Sequence, residues 1–396
     1  MKDVQTLLAA LVRTPSQAGI DDLAAIVGVI SGWLDAHGVA HQIVGRAAQP
    51  AAIVINPPQH ADDEVFVLNA CVDTAPAGDP AQWRHPPFAA QVEGGWLYGR
   101  GAADSKAAVA LFCALARRTA LNPRGPGRSG AGPQRRVTVV FDCDEHSGRF
   151  GGIRAYTRAF GFPRHCAIGY PGFDEIVRGS RGFFRTVVTL RGEMGHSGSG
   201  AVPRELAAAK LAQLVLALDR FTARAAPAGD AFPFGPRASV TGLRTGPRTY
   251  SVTAAKIDCA VDLRLTPTFD AAAAAAFLAR TLAAIGRRCG NAHPSSMSPP
   301  NTWPADLTPD DALLPRLLQQ GAAQVLGGAP PLAVSGPSNI GNFLARHGTQ
   351  VLCGFGVDFQ RIPGPDECAR LATLAPVLRV YQAAVRGYLD GRGSGP

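Results

Sequence analysis

The stretch Val65-Phe66-Val67-Leu68-Asn69-Ala70 lacks the apolar–polar alternation that a strand with one wet face needs. Such a run reads as a strand covered on both faces, and parallel sheets flanked by helices are where those strands occur. Val137-Thr138-Val139-Val140-Phe141 repeats the texture, and Ala167-Ile168-Gly169 is a shorter copy. Apolar residues at helical spacing surround these runs. Leu7, Leu8, Leu11 and Val12 mark a helix over residues 3–13; Leu23, Ile26, Val27, Ile30 and Leu34 mark another from Asp21 to His37. Short strands are expected at 42–44 and 52–55. The pattern predicts an α/β domain. In open α/β sheets, chemistry collects beyond the carboxyl ends of the strands. The three runs end at Cys71, at Asp142 to His146, and at Tyr170.

Past Gly179 the texture changes. Phe183 to Leu190 alternates like a half-exposed antiparallel strand. A helix over 205–218, strands at 239–243 and 256–265, and a helix over 271–285 follow. This order predicts an α+β module over residues 180–289, inserted into a domain built from 1–179 and 290–396. The returning chain offers a helix over 312–326, a strand at 350–354 and a last helix over 369–388. Asn122 to Arg136, rich in Gly, Pro, Arg and Ser, reads as a surface loop.

The length of 396 residues allows two substantial cores. No apolar run approaches the roughly 20 residues of a membrane span, and the N-terminus has no charged-then-apolar layout, so a cytoplasmic protein is expected. The eight cysteines include no Cys-x-x-Cys pair and read mostly as free, buried side chains. The net charge of +9 is scattered, apart from Arg124 to Arg136 and Arg287-Arg288. That argues against a nucleic-acid face and suits attraction of a carboxylate-bearing small molecule.

One segment stands out chemically. Gly99-Arg100-Gly101-Ala102-Ala103-Asp104-Ser105-Lys106 follows a strand-like Gly95 to Tyr98 and precedes an apolar helix from Val109 to Ala116. The glycines permit a sharp turn, which is expected to leave Asp104 at a helix head facing a cavity. Cys71-Val72-Asp73, Asp144-Glu145-His146, Tyr170-Pro171, Gly192-Glu193-Met194-Gly195-His196-Ser197, Asp262-Leu263-Arg264 and Pro363 to Glu367 complete a series spread over the whole chain.

In order and spacing this series resembles the M20 metallopeptidases. The resemblance implies their fold: a catalytic α/β domain with an inserted ferredoxin-like lid or dimerisation domain, hence a homodimer through residues 180–289. It also implies two zinc ions bridged by Asp104. Glu145 would be the general base on the bridging water, and Asp73 would orient a metal ligand. His196 would steady an oxyanion, Arg264 would clamp a substrate carboxylate, and Ser338 and Asn339 would line the substrate side. The chain departs from the family at four ligand positions. Cys71 stands for histidine, His146 for a glutamate, Tyr170 for an acid before proline, and Pro363 for the last histidine. The expected cofactor state is therefore no metal, or a single zinc on Cys71, Asp104 and His146, in place of a zinc pair.

Three chemistries stay open at this point. Cys71 with His146 and Glu145 makes a thiolate nucleophile. His146 and Tyr170 alternatively shuttle protons without a covalent step. In the third case the polar residues merely satisfy one another in a catalytically silent, substrate-binding or regulatory protein. The leading expectation is an amidohydrolase-like enzyme, with a catalytically inactive binding or regulatory protein second and a conventional zinc-dependent deacylase or peptidase third. Its substrate would be a small, carboxylate-bearing N-acyl amino acid or peptide, and its reaction either hydrolysis or a non-hydrolytic amide formation, cyclisation or rearrangement. Neither a nucleic acid nor a membrane is an expected partner.

Overall fold

A computed structural model describes residues 1–46, 49–122, 134–200, 203–246 and 250–391. Most of the Asn122–Arg136 segment lies outside the described residues. The chain divides into two units. One comprises 1–179, 307–335 and 339–396; the other comprises 180–306 with 336–338.

The first unit is built on the apolar runs. Glu64–Cys71 and Arg135–Asp142 are strands buried along nearly their whole length. They pair in parallel, with Cys71 opposite Asp142. His165–Ile168 lies parallel on the other side of Glu64–Cys71, and Gln350–Leu352 lies parallel beyond it. Gln49–Ile55 and His41–Arg46 extend the opposite edge antiparallel, completing a mixed six-stranded sheet. Helices Lys2–Arg13, Ala107–Arg118, Leu313–Leu326 and Leu374–Leu389 share one continuous core with this sheet. The α/β reading of the sequence is borne out. No helix among the described residues is long and apolar enough to cross a membrane.

Two local expectations need correction. The last helix begins at Leu374, not at residue 369, because Cys368–Arg370 is a strand paired with Trp96–Tyr98. That pairing delivers Glu367 to the turn after Tyr98. Asp104 is not at a helix head. The regular helix starts at Ala107, and Asp104 (φ −110°, ψ 89°) and Ser105 (φ −132°, ψ 29°) occupy an irregular turn ahead of it, joined by a cis peptide bond. A further helix, Gly151–Phe160, buries Ile153 and Tyr156.

The second unit is an antiparallel sheet in the order 237–245, 256–265, 182–191, with 296–297 and 301–303 both on the outer side of 182–191. Along Lys256–Leu265 the buried positions alternate strictly: Ile257, Cys259, Val261, Leu263 and Leu265. Helices Ala207–Arg224 and Ala271–Cys289 share the core these residues form. The return expected at residue 290 comes later, after Asp306. Residues 296–303 are too short and polar to advertise a strand, yet they continue this sheet. Buried Lys210 pairs with Glu205, and Glu205 accepts the backbone N–H groups of Ala292 and His293, which ties this return segment down.

Candidate active site

Parallel pairing sets the floor of the site. Cys71 ends its strand buried beside Asp142, and Val72 N–H donates to Asp142 O at 2.8 Å. Two residues on, Asp73 is fully buried. Its carboxylate accepts the backbone N–H groups of Glu145 (3.1 Å) and His146 (2.8 Å). Asp73 therefore fixes the loop that follows the neighbouring strand, and with it two reactive side chains.

The turn carrying Asp104 is held from three directions. Gly101 has φ +79°, and a Cβ there would meet Thr74 Cγ2 at 2.5 Å, so glycine alone fits. Glu367 accepts the N–H groups of Ala103 and Asp104. Ser105 Oγ donates to Asp104 Oδ1 at 2.9 Å. Cys71 Sγ lies 3.4 Å from Ser105 Oγ and 4.0 Å from Asp104 Oδ1. Ser105 is a site residue that sequence reading passed over; its adjacency to Asp104 was the available signal.

His146 sits among the acids. Its Nδ1 is 3.4 Å from Asp73 Oδ2 and 3.4 Å from Glu145 Oε2, and its Nε2 is 3.9 Å from Asp104 Oδ2. Nδ1 nonetheless makes no hydrogen bond. Tyr170, half-buried, lies close enough to Asp104 to feel its charge. Cys71, Asp73, Asp104, Glu145, His146 and Tyr170 are thus one cluster.

Its electrostatics follow from burial. Burial pushes the Cys71 thiol far up, and the nearby acids add to that despite His146. Burial lifts Glu145 to about 8, with Asp73 and Asp104 adding and His146 opposing. Burial works against a charged His146, but its Asp104, Asp73 and Cys71 partners outweigh it and hold the ring cationic well above its ordinary range. Burial also raises the Tyr170 phenol, with the Asp104 charge adding. The resting cluster offers proton donors more readily than a thiolate.

The family's fourth departure is also visible. Pro363 has no side-chain donor, and its carbonyl accepts from Arg100 Nη2 at 2.8 Å. The trio predicted for one ion, Cys71 with Asp104 and His146, is altered. The group whose ligand atoms all lie within 4.8 Å of one another is Cys71, Asp73 and His146. Asp104 turns one oxygen to Ser105 and the other toward His146.

The remaining predicted residues are distributed differently. In the second unit, His196 is exposed, and its Nδ1 accepts from Gly198 N–H at 3.1 Å, which leaves Nε2 as the outward donor. Arg264 Nε lies 3.0 Å from Asp262 Oδ1 and its Nη1 donates to Ser338 Oγ at 3.3 Å. Arg264 and Asp262, together with Arg181 and Arg237, line a cavity of about 280 Å³. Arg181 and Arg237 were not singled out from the sequence. In the first unit, the Asn339 side chain is buried and committed to capping the Ile340–Arg346 helix, accepting from Gly341 N–H at 2.8 Å.

Comparison with known proteins agrees with the motif series. Residues 67–387 match the model of peptidase family M20/M25/M40. A succinyl-diaminopimelate desuccinylase of Alkalilimnicola ehrlichii is 30% identical over 340 residues, 82% of this chain and 84% of that protein. One from Parvibaculum lavamentivorans is 25% identical over 403 residues, 99% of this chain and 97% of that one. Among solved structures, an M20 family metallo-carboxypeptidase from Sulfolobus solfataricus superposes with TM-score 0.75 at 15% identity, over 98% of this chain and 100% of the other. Human carnosine dipeptidase 1 gives TM-score 0.73 at 16% identity, over 98% and 96%. At such identities these structures establish the fold alone.

Proposed function

The chain belongs to peptidase family M20/M25/M40, whose members are hydrolytic enzymes, and from that premise we propose that it acts on the amide bond of a small, carboxylate-bearing N-acyl amino acid or peptide. The observation that carries this is convergence. Reactive side chains from three separate segments, 71–73, 104–105 and 145–146, meet within ion-pair or hydrogen-bond distance of Asp104 or His146, and the Tyr170 phenol feels the Asp104 charge. The desuccinylase relatives make N-succinyl amino acids the first substrate class to try.

The residues suit proton transfer better than covalent attack. His146, held cationic, donates toward an amide nitrogen or carbonyl. Glu145 takes a proton once ionised, and Tyr170 adds a hydroxyl donor. The Cys71 thiol, buried and raised, is a poor nucleophile at rest. The two-ion centre of the family does not fit the residues at Tyr170 and Pro363, which offer neither a carboxylate nor an imidazole. Such a centre suits amide formation, cyclisation or rearrangement as well as slow hydrolysis. In the second unit, Arg264 and its arginine neighbours supply carboxylate recognition, and the His196 Nε2–H supplies a hydrogen-bond donor. We further propose that this unit mediates a homodimer.

Turnover of N-acyl amino acids in oxygen-labelled water tests the reading. Hydrolysis transfers one solvent oxygen to the acyl product; a non-hydrolytic reaction transfers none. Loss of turnover in both Glu145→Gln and His146→Gln supports the centre, and unchanged turnover in both refutes it. A second reading, a ligand-binding protein without catalysis, is favoured by the raised Glu145, which is largely neutral near pH 7. Tight binding of an N-acyl amino acid with no product formed would support it.

A further inference from the structure

Asp73, Asp104 and Glu145 share one cationic partner. Each is ion-paired with His146, at 3.4, 3.9 and 3.4 Å, and among the described residues no lysine or arginine ion-pairs with any of the three. Three carboxylates and a thiol around one imidazole form a centre short of positive charge. The His146 side chain is 14% exposed, and its Nδ1 faces Asp73 with no hydrogen-bond partner.

Geometry narrows what would supply the missing charge. Cys71 Sγ, an Asp73 oxygen and a His146 ring nitrogen all lie within 4.8 Å of one another. Around a tetrahedral zinc with bonds of about 2.0–2.3 Å, donor atoms stand roughly 3.3–3.7 Å apart. His146 Nδ1 and Asp73 Oδ2, 3.4 Å apart, already stand at that spacing, and Cys71 Sγ lies within 4.8 Å of the ligand atoms of both. A thiolate, a carboxylate and a neutral imidazole also balance a dication without residual charge.

We propose that Cys71, Asp73 and His146 form a mononuclear site for a borderline divalent cation, with zinc as its occupant. The donor set excludes magnesium and calcium, which take oxygen ligands, and suits zinc or cobalt. The proposal rests on reading this cavity as the reaction centre: with the ion bound, His146 is a neutral ligand and proton transfer falls to Glu145 and Tyr170, whereas the cationic His146 belongs to the metal-free protein, and the part played by Asp73 changes too. A carboxylate in the outer layer of a metal site orients a histidine by accepting its second ring N–H. Cys71, in that histidine's place, has no such N–H, so Asp73 is released to bind metal itself. The N–H groups of Glu145 and His146 hold its carboxylate in position. Asp104, engaged by Ser105, stays outside the first coordination layer. Three protein ligands leave a fourth position open, as in catalytic zinc sites.

Cobalt titration of the chelator-stripped protein reads the site without any turnover assay. One equivalent is expected to bind, with a sulfur-to-cobalt charge-transfer band that Cys71→Ala abolishes. Asp73→Asn is expected to weaken binding by more than about 100-fold, beyond the 10–100-fold typical of losing an orienting carboxylate. Asp104→Asn is expected to weaken it less than tenfold. Circular dichroism confirms that each variant is folded; should Asp73→Asn not fold, the wild-type stoichiometry, the band and Asp104→Asn decide. Two equivalents, no binding, absence of the sulfur band, or a greater loss in Asp104→Asn than in Asp73→Asn overturns the proposal. If the site binds as described but no amide substrate is turned over, the functional reading fails and the metal site stands.

Discussion

Arg100 Nη1 lies 2.6 Å from Glu367 Oε2, and the two side chains are only 2% and 1% exposed. The pair joins residues far apart in sequence and sets the turn that carries Asp104, because the other Glu367 oxygen accepts the N–H groups of Ala103 and Asp104. Removing one partner of a buried ion pair strands the other. Glu367→Gln is therefore expected to cost about 3–5 kcal/mol, read as a shift in urea unfolding. A loss below about 1 kcal/mol would mean that water, not Glu367, satisfies Arg100.

Gly101→Ala tests the same turn from the backbone side. With φ at +79° and Thr74 Cγ2 at 2.5 Å from the added Cβ, alanine must move the turn or adopt a strained conformation. A stability loss of about 1–3 kcal/mol is expected. The displacement of Asp104 should also weaken cobalt binding less than Cys71→Ala does, since Asp104 is not a ligand. A fully stable Gly101→Ala protein would show that the turn has room to relax.

The sheet, the inserted unit and the reactive segments were legible because each rests on local pattern. Residues 64–71 and 135–142 announce themselves by unbroken apolar texture, and 256–265 by strict alternation. What escaped reading depends on distant partners. Ser105 looks generic until Cys71 and Asp104 are beside it. Residues 296–303 carry no periodicity, and only pairing with 182–191 makes them strands. Asn339 matched a substrate position, yet its short amide caps the next helix, a local competition typical of asparagine. Asp104 was expected at a helix head because the glycines before it turn the chain toward the apolar helix, but contacts from Glu367 and Ser105 hold it in a turn ahead of that helix.

His165 supplies a pH dependence separate from the site. Buried under Tyr388, with Glu64 Oε1 at 3.6 Å from its Nε2, it has its basicity lowered to about 4 by burial, with Glu64 working against that and Arg164 adding to it. The ordinary value is about 6.5, so below that pH the unfolded chain takes a proton that the folded protein refuses. Stability falls as pH drops from about 6.5 to about 4, by roughly 3 kcal/mol in all. His165→Phe, which keeps the ring against Tyr388, should flatten that part of the stability–pH curve measured by urea unfolding. An equally steep curve would assign the acid sensitivity elsewhere.

The outer strand Arg237–Thr245 of the second unit has a sheet neighbour on one side only among the described strands, and exposes Leu243 at 58%. Val215 and Leu216 on the adjoining helix are 44% and 46% exposed. An uncovered edge beside apolar side chains invites pairing with a second copy. Light scattering should find a dimer, and Leu243→Glu should shift it toward half the mass. A monomeric wild type would remove dimerisation from the proposed function.

Arg264 gives the sharpest test of substrate chemistry. Its guanidinium is steadied by Asp262 through Nε and contacts Ser338 through Nη1, while Arg185 holds the other Asp262 oxygen. With Arg181 and Arg237 at the same cavity, the positive charge exceeds what Asp262 neutralises. A carboxylate ligand meets a planar fork there, which lysine cannot reproduce. Arg264→Lys keeps the charge and loses the fork, so binding of a carboxylate-bearing ligand should weaken about tenfold or more, equivalent to roughly 1.5–3 kcal/mol for a charged hydrogen bond. Calorimetry with an N-acyl amino acid and its carboxamide analogue separates the cases. The acid should lose affinity on substitution while the amide, already weak, changes little. Equal losses for both would mean that Arg264 supports the fold of this unit and does not read the carboxylate.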